Sequence, residues 1–300
     1  MSLIVVKPIS VTDAMLISCD VPETDYAEYN PASTYAQATR VKVTSSHLVY
    51  ESALAGNIGN TPATNPTKWF KVGATNPWKC LDTKTSTQTV QAGGMSYRFR
   101  PGQVVNVLGV LNAFADSVRI RMIDPVQGTV YDKTTSLLGS IRRPSWHVWF
   151  FSRRMRKSQV LALDLPSYYG ADILVDVTVA SGDARLGVLM FGYQQALGEG
   201  VELGAGVGIS DYSRQVTNTW GDTELEPLAW AKRASFAMKV KNTEIDELMQ
   251  QLVELRSTAC LWIGTDRYAC TVVFGWCGVF DILISYQTYS DCSTDIKGLT

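Results

Sequence analysis

The stretch Trp69-Phe-Lys-Val-Gly-Ala-Thr-Asn-Pro-Trp-Lys-Cys-Leu-Asp82 separates two parts of the chain that differ in length and pattern. A compact segment with an aromatic end precedes it, and a long body with strand-like alternation follows it. Asn76 and Pro77 predict a turn inside the stretch, because both residues favour turn conformations. Trp69 and Trp78 carry large rings that either part can bury. The sequence therefore predicts a boundary between two folding units here.

Residues 31–82, which lead up to this boundary, are predicted to form a small β module. Short strands are marked by Tyr35, Val41, Val43, Leu48 and Tyr50, and a Gly/Asn/Pro loop precedes Trp69. This spacing resembles the chitin-binding-type modules that are appended to chitinases. The sequence has Leu54 and Ala55 where those modules carry exposed tryptophans. We therefore expect Trp69 to lie in the core of the module, with glycan contact as the alternative.

Residues 1–30 precede this module and are predicted to form an extended arm. A short β-prone run is followed by Pro8 and by an acidic stretch from Asp20 to Glu28. Segments at a chain end are ordered only when they dock on something. We therefore expect this arm to lie on a neighbouring subunit.

Residues 83–235 are predicted to form a jelly-roll-like β-sandwich. The segments 118–122 and 173–179 alternate apolar with polar residues, which predicts one buried and one solvated face. Largely apolar runs predict inner strands at Val104–Leu111, His147–Phe151 and Leu186–Phe191. An immunoglobulin-type sandwich is less well supported, because no Cys-Trp-Cys pattern is present.

Residues 236–300 are predicted to form an α+β domain with one well-defined helix. An apolar stripe of Ile245, Leu248, Leu252 and Leu255 repeats at helical spacing, and Thr243 is positioned to cap the helix. Strands are expected at Cys260–Ile263, Cys270–Phe274 and Phe280–Tyr286, so that the helix covers one face of a sheet. The apolar run from Tyr268 to Phe280 is interrupted by Gly275 and Gly278 and is expected to form two strands.

Several short motifs along the chain resemble a family of tail-tip and baseplate proteins of tailed bacteriophages. They are Trp69 to Asp82, Gly192, Leu197-Gly198, Gly208-Ile209-Ser210-Asp211-Tyr212-Ser213, Trp220-Gly221-Asp222, Leu255-Arg256, Trp262-Ile263-Gly264, Gly275, Phe280, Ser290, Cys292 and Gly298-Leu299-Thr300. Family members commonly have Pro where Ala259 stands. The resemblance implies a structural protein of the virion tail, assembled in the host cytoplasm, with other tail proteins as partners.

Composition excludes several other classes of protein. The net charge of −1 argues against a dedicated nucleic-acid binder, which carries a clustered positive surplus. The basic run Arg153–Lys157 is short, and we expect a solvated loop between two strands rather than a polyanion site. No apolar stretch reaches membrane length, so no membrane insertion is expected. Six scattered cysteines without a Cys-x-x-Cys pair predict buried thiols.

No motif for a reaction or a cofactor stands out. His47 and His147 have no ligand at metal-binding spacing, and Ser210, Asp211 and Ser213 lack a nucleophile-elbow motif. The latter run predicts a turn in which side chains cap backbone groups. Glycines between 198 and 208 predict a wide β-loop. The acidic residues Asp222, Glu224 and Glu226 are predicted to lie in a solvated loop, with a glycosidase-type carboxylate pair as the alternative.

The sequence thus predicts a non-enzymatic structural protein of a phage tail tip or baseplate that docks neighbouring tail proteins or fibres in a symmetric homo-oligomer. The alternative is a receptor-recognition protein that binds bacterial surface glycan, and a polysaccharide-degrading enzyme is a third hypothesis. The residues predicted to contact a glycan or a partner are Tyr50, Trp69, Trp78 and Trp220. We expect no cofactor.

Overall fold

A computed structural model describes residues 2–139, 145–151, 156–265 and 267–299. The strands are β1 (Leu3–Pro8), β2 (Leu16–Cys19), β3 (Arg40–Val43), β4 (Leu48–Ser52), β5 (Trp69–Ala74), β6 (Thr89–Phe99), β7 (Val107–Leu111), β8 (Ser117–Asp124), β9 (Gly128–Ser136), β10 (Val160–Ala162), β11 (Asp172–Leu186), β12 (Val188–Leu197), β13 (Gly200–Val201), β14 (Gly206–Asp211), β15 (Arg214–Thr217), β16 (Thr223–Glu226), β17 (Trp230–Lys241), β18 (Cys260–Ile263), β19 (Val272–Leu283) and β20 (Tyr289–Gly298). The helices are α1 (Trp146–Phe151) and α2 (Ile245–Glu254).

Two large antiparallel sheets dominate the fold. The first has ten strands in the order β10-β7-β12-β1-β18-β19-β20-β17-β13, with β14 also paired to β17. The second has five strands in the order β2-β6-β11-β8-β9. Strands β3, β4 and β5 form a small separate sheet, and among the described residues β15 pairs with β16 alone. The prediction of a mainly β chain with a small N-terminal module, a central sandwich and a helix-covered C-terminal part is confirmed.

The sandwich core lies between the five-stranded sheet and the β10-β7-β12 end of the ten-stranded sheet. Alternate residues of β6, β8 and β11 face alternate residues of β7, β10 and β12 across it. The rings of Phe99 and Phe191 meet at the centre, with their centroids 5.3 Å apart. Both predicted alternating segments, 118–122 and 173–179, place their apolar side chains in this core. Burial of one face of each strand therefore explains the period-two pattern of the sequence.

The prediction of an extended N-terminal arm is wrong for Leu3–Pro8, which form strand β1. Strand β1 lies in the middle of the ten-stranded sheet, between β12 and β18, with Ile4 opposite both Ala196 and Ile263. Leu3 and Val6 belong to cores on opposite faces of that sheet. Further along, β2 pairs with β6 in the second sheet, and residues 27–29 bond to Lys42 of the small module. The N-terminal segment thus joins three parts of its own chain.

Helix α2 covers the other end of the ten-stranded sheet, as the apolar stripe predicts. Leu248 and Leu255 are buried with Phe236 and Trp262 of β17 and β18. The predicted cap is wrong, because Thr243 lies in a short 3₁₀ turn and Glu244 occupies the N-cap position without a side-chain cap bond. The expectation of two strands around Gly275 and Gly278 is also wrong. Strand β19 runs through both glycines, with an irregularity in its register between Cys277 and Val279.

The ten-stranded sheet is strongly curled. In a flat sheet, β7 and β18 would lie about 14 Å apart, because three strand spacings separate them. A Cβ atom at Gly109 of β7 would nevertheless lie 3.4 Å from the side chain of Leu261 on β18 and 3.5 Å from that of Leu161 on β10. The sheet therefore bends around an interior apolar core. Gly109 permits this bend because it leaves room for the two leucines.

The predicted boundary at Trp69–Asp82 contains the segment that connects the small module to the rest of the chain, which we call the joint. Residues 76–81 form a 3₁₀ helix rather than an isolated turn. The Asn76 side chain donates to the Val90 carbonyl at 2.8 Å and accepts from the Val90 amide at 3.0 Å. The phenol of Tyr97, in the sandwich core, donates to the Pro77 carbonyl at 2.9 Å. Hydrogen bonds at this joint therefore attach the module to strand β6.

Two predictions about the segment after β9 need correction. Residues 147–151, predicted to be an inner strand, belong to helix α1, and Phe150 and Phe151 are exposed. The basic run was predicted to be a solvated loop, and its residues 153–155 lie outside the described residues. Arg156 forms an ion pair with Asp116 at 3.0 Å and packs over the ring of Phe114. A short apolar run alone does not distinguish a buried strand from an exposed helix.

The cysteines are unpaired and occupy different environments. Cys80, Cys260 and Cys292 are buried, which raises the pKa of Cys80 to about 12 and that of each of the other two to about 11. The prediction of buried thiols is wrong for Cys270, which is exposed.

Candidate functional site

Tyr50 and Trp69, two of the predicted contact residues, lie in the core of the small module. Trp69 is 2% exposed and Tyr50 is 7% exposed. The indole nitrogen of Trp69 donates to the Asn60 carbonyl at 2.8 Å. The rings of Tyr29 and Tyr35 approach the Trp69 ring edge-on, with centroids 5.8 and 5.3 Å away. Both predicted residues therefore hold the module together, which is the core role expected for Trp69.

Trp78 lies at the joint between module and body. Its ring stacks on the ring of His47, with a centroid distance of 4.2 Å and an interplanar angle of 19°. The other side-chain contacts of His47 are Glu23, 3.2 Å from Nδ1, and Asp13, 3.6 Å from Nε2. Glu23 also accepts a hydrogen bond of 2.6 Å from the hydroxyl of Thr75. Trp78 is thus half-buried in a polar contact between the N-terminal segment and the module.

Trp220 is the only one of the four that presents most of its ring to solvent. It is 88% exposed and lies in the turn between β15 and β16. The side-chain oxygen of Asn218 accepts from the amides of Trp220 at 3.0 Å and Asp222 at 2.9 Å, which fixes the turn. The structure therefore does not bring the four predicted residues together into one site.

Trp220 belongs to a longer exposed segment that carries many apolar side chains, and the sequence analysis did not predict it. We define the β-arm as residues 202–230, which include β14, β15 and β16. All of its residues are exposed except Gly208 and Ser210, which are half-buried. Its exposed large apolar side chains are Leu203, Val207, Ile209, Tyr212, Val216, Trp220, Leu225, Leu228 and Trp230. The alternation of Val207 and Ile209 with small residues is the signal from which a strand could have been predicted here.

The prediction of a wide glycine loop over 198–208 is wrong for residues 206–208, which belong to strand β14. Its residues pair with β17 from Gly206 opposite Ser235 to Asp211 opposite Trp230. Among the described residues, no strand pairs with its other side. Edge strands with free backbone groups are templates for pairing with another chain. The β-arm thus combines an open strand edge with exposed apolar side chains.

The hairpin of β15 and β16 extends the β-arm further. Val216 lies opposite Glu224, and Gln215 lies opposite Leu225. The acidic residues predicted to occupy a solvated loop are indeed exposed, but Glu224 and Glu226 belong to strand β16. An isolated two-stranded hairpin is only marginally stable in water, so contact with a partner would stabilise this hairpin.

The charges of the β-arm are mainly acidic. Residues 211–226 contain four acidic side chains and one basic side chain, a net charge of −3. Asp211 accepts from the hydroxyl of Ser213 at 2.6 Å and from its amide at 2.9 Å, and these bonds lower the pKa of Asp211. The predicted capping of a backbone group by a side chain is confirmed at this point, but the predicted turn is wrong for Ser210 and Asp211, which belong to strand β14.

A cavity of about 320 Å³ opens beside the base of the β-arm, next to Trp230 and Lys232. The Lys232 amine donates to the carbonyls of Ala269 at 3.2 Å and Val272 at 3.4 Å, and burial lowers its pKa. Lys232 is the only ionisable group among the described residues that line the cavity.

Other kinds of site find little support in the described ranges. Across residues 2–139, 145–151, 156–265 and 267–299, no group of three or more His, Cys, Asp or Glu side chains is arranged to hold a metal ion. None of the helices in these ranges is both long and apolar enough to span a membrane. The β-arm is therefore our candidate functional site.

Comparison with known proteins finds no matching family model, no matching curated protein and no matching solved structure.

Proposed function

We propose that this protein is a structural component of the tail tip or baseplate of a tailed bacteriophage, and that it docks neighbouring tail proteins in a symmetric homo-oligomer. The motif resemblance suggests the particle, and the exposed β-arm is the observation that supports docking. In this proposal the protein is not an enzyme and uses no cofactor. It acts in the virion after assembly in the host cytoplasm.

The mechanism of this proposal is burial of the β-arm against a partner. Burying the side chain of Trp220 removes on the order of 200 Å² from water. At about 25 cal/mol per Å², this corresponds to a gross gain of about 5 kcal/mol. Ordering the hairpin offsets part of this gain. Large aromatic side chains at the centre of an interface commonly dominate its free energy, so Trp220 is the expected anchor.

The open edge of β14 supplies a second element of docking. A strand of a partner that adds to this edge would satisfy the free backbone groups of β14, while Val207 and Ile209 supply apolar side-chain contacts. Strand addition gives register as well as affinity, because a shift by one residue turns the side chains to the other face. A regular assembly needs such a fixed register.

Receptor recognition through bacterial surface glycan is the alternative proposal, and it has less support. Tyr50 and Trp69 are buried in the module core. Leu54 and Ala55 occupy the positions at which the related modules carry sugar-stacking tryptophans, and both are exposed. Stacking on a sugar face needs a flat exposed ring. A glycan-binding role would therefore depend on another surface of the chain.

Removing the hairpin is the most direct test of docking. Residues 214–226 would be replaced by two glycines that join Ser213 to Pro227. The ends are already close, since the Tyr212 amide donates to the Ala229 carbonyl at 3.1 Å and the Leu228 amide donates to the Ser213 hydroxyl at 3.2 Å. Light scattering coupled to size exclusion should show concentration-dependent oligomers for the unaltered chain and a shift towards monomer for the variant.

A second variant keeps the hairpin and removes only its apolar side chains: V216S/W220S/L225S. The matched control is Val126→Ser, because Val126 is 92% exposed in a turn of the five-stranded sheet, outside the β-arm. Circular dichroism should report the same fold for all variants. The docking proposal is overturned if the unaltered chain stays monomeric at all concentrations with and without neighbouring tail proteins. Binding of host polysaccharide by such a monomer would favour the alternative.

A further inference from the structure

Two adjoining cavities form a groove beside the base of the β-arm. The first, of about 320 Å³, contains Lys232, and the second has a volume of about 390 Å³. Both cavities have Asn112 and Ser158 in their walls, so they are continuous, and we call them together the cationic groove. Among the described residues, no Asp or Glu lines either cavity. The basic side chains of the lining are Lys232, Arg156, Lys157 and Arg185.

Most of these cations lack a counterion. Arg156 pairs with Asp116 at 3.0 Å. Lys157 and Arg185 form no ion pair within the described ranges, and both are exposed. The amine of Lys232 has neutral carbonyl and amide oxygens as its partners there. An acidic segment that entered the groove would therefore meet three cations without competition from carboxylates of the same lining.

The cationic groove also offers apolar surface. The first cavity is walled by the side chains of Leu111, Val272 and Phe274 and by Trp230, which is 55% exposed. In the second cavity the ring of Phe114 is 45% exposed. Binding pockets commonly combine apolar walls with a few polar groups that fix orientation. This lining suits a segment that carries negative charge together with exposed apolar side chains.

We propose that the β15–β16 hairpin of a second copy of this chain docks in the cationic groove. The inference rests on the proposed docking function and names the surface that receives the β-arm. Residues 211–226 have a net charge of −3, opposite in sign to the groove, and they present Trp220 and Leu225 to solvent. The same residues line neither cavity of their own chain, so the chain's own hairpin does not occupy the groove.

The layout of the hairpin supports this pairing. Glu224 and Glu226 are alternate residues of β16, so they project from one face about 7 Å apart, while Leu225 projects from the other. The groove begins at the base of the β-arm, where Trp230 lines its wall. Two copies related by a twofold axis can therefore each place a hairpin in the groove of the other. Such an exchange closes on itself and uses the same two surfaces in both copies.

A polypeptide hairpin fits the groove better than an acidic polysaccharide does. Leu111, Val272 and Phe274 offer no hydrogen-bonding side chain to sugar hydroxyls, and a buried hydroxyl without a partner costs free energy. The side chains of Trp220 and Leu225, in contrast, gain from burial against such walls. The acidic residues beside them supply the missing counterions.

Reversal of charge on each side of the contact tests the proposal. The two variants are K157E/R185E in the groove and E224K/E226K in the hairpin, and all four side chains are exposed. In either variant alone, hairpin and groove carry like charges, so self-association should weaken at least tenfold in sedimentation equilibrium at about 0.15 M salt. An equal mixture of the two variants restores opposite charges at both contacts. It should associate within about threefold of the unaltered chain.

The matched control is K71E/R256E, which makes the same change in net charge as K157E/R185E. Lys71 and Arg256 are exposed and lie outside the groove and the β-arm, so this variant should associate as the unaltered chain does. Circular dichroism should report the same fold for all of these variants.

Several results would overturn the inference. One is a mixture that associates no more strongly than either variant alone. Another is K157E/R185E associating as strongly as the control while E224K/E226K is weakened. This second result would place the acidic hairpin on a different surface and leave docking through the β-arm intact, whereas an unaltered chain that stays monomeric removes both proposals. Unchanged association of K157E/R185E, together with its loss of binding to polygalacturonate, would assign the groove to an acidic glycan instead.

Discussion

Two tryptophans of this chain are expected to have opposite roles, and replacing each with alanine distinguishes assembly from folding. Trp69 is 2% exposed in the core of the small module, and Trp220 is 88% exposed in the hairpin turn. Trp69→Ala should lower the free energy of unfolding of the module by about 3–5 kcal/mol, because it leaves a large cavity. It also leaves the Asn60 carbonyl without the indole donor. Trp220→Ala should change the free energy of unfolding of the monomer by less than about 0.5 kcal/mol.

Self-association should respond in the reverse way. If Trp220 anchors an interface, its truncation should cost about 2–4 kcal/mol of association free energy. This loss raises the dissociation constant by about 30- to 1000-fold. Trp69→Ala should leave the association constant of the folded chain within about threefold, because the β-arm lies elsewhere. Urea unfolding at low protein concentration measures the first quantity, and sedimentation equilibrium measures the second.

The reasoning is refuted by either of two results. A loss of more than about 1 kcal/mol of monomer stability in Trp220→Ala would mean that the ring packs on its own chain. Unchanged association in Trp220→Ala, with oligomers present in the unaltered protein, would place the interface outside the hairpin. Trp230→Ala is a useful further variant, because Trp230 is also exposed but lies at the base of the β-arm, opposite Asp211.

Three further predictions concern the fold that carries the β-arm. Burial raises the pKa of Asp172, but hydrogen bonds from Arg100 and Arg98 outweigh burial and hold this pKa below its usual range. The ionised Asp172 therefore stabilises the folded chain above the unfolded pKa of about 4, and this stabilisation is lost as pH falls through the folded pKa. Asp172→Asn should therefore cost about 1–3 kcal/mol at pH 7 and flatten the loss of stability below pH 4 in urea unfolding. Gly275→Ala should cost about 2 kcal/mol or more in thermal unfolding, because its Cβ would overlap the Lys297 carbonyl, whereas Gly170→Ala has open space and should be nearly neutral. Asn76→Ala should speed hydrogen exchange of the Val90 amide by about tenfold, because the amide loses its acceptor; unchanged exchange would contradict the role of Asn76 at the joint.

Local pattern predicted the elements whose side chains bury against their own chain. Strands β8 and β11 and helix α2 follow directly from the period of their apolar residues, because one face of each is buried. Pairing partners distant in sequence could not be predicted in this way. Strand β1 pairs with residues near 195 and 262, and nothing within Leu3–Pro8 encodes that choice. The same six residues would suit an arm on a neighbouring subunit equally well.

A mismatch between pattern and burial distinguishes the β-arm from the rest of the fold. In β17, alternate apolar residues from Ala234 to Val240 are buried, so the alternation is explained within the chain. In β14 the alternation continues through Val207 and Ile209, but both side chains are exposed. A period-two pattern stabilises a strand only when one of its faces is covered. Because the described residues of this chain do not cover that face, the pattern in the β-arm is best explained by a surface supplied from outside the chain, and the interface should be sought there first.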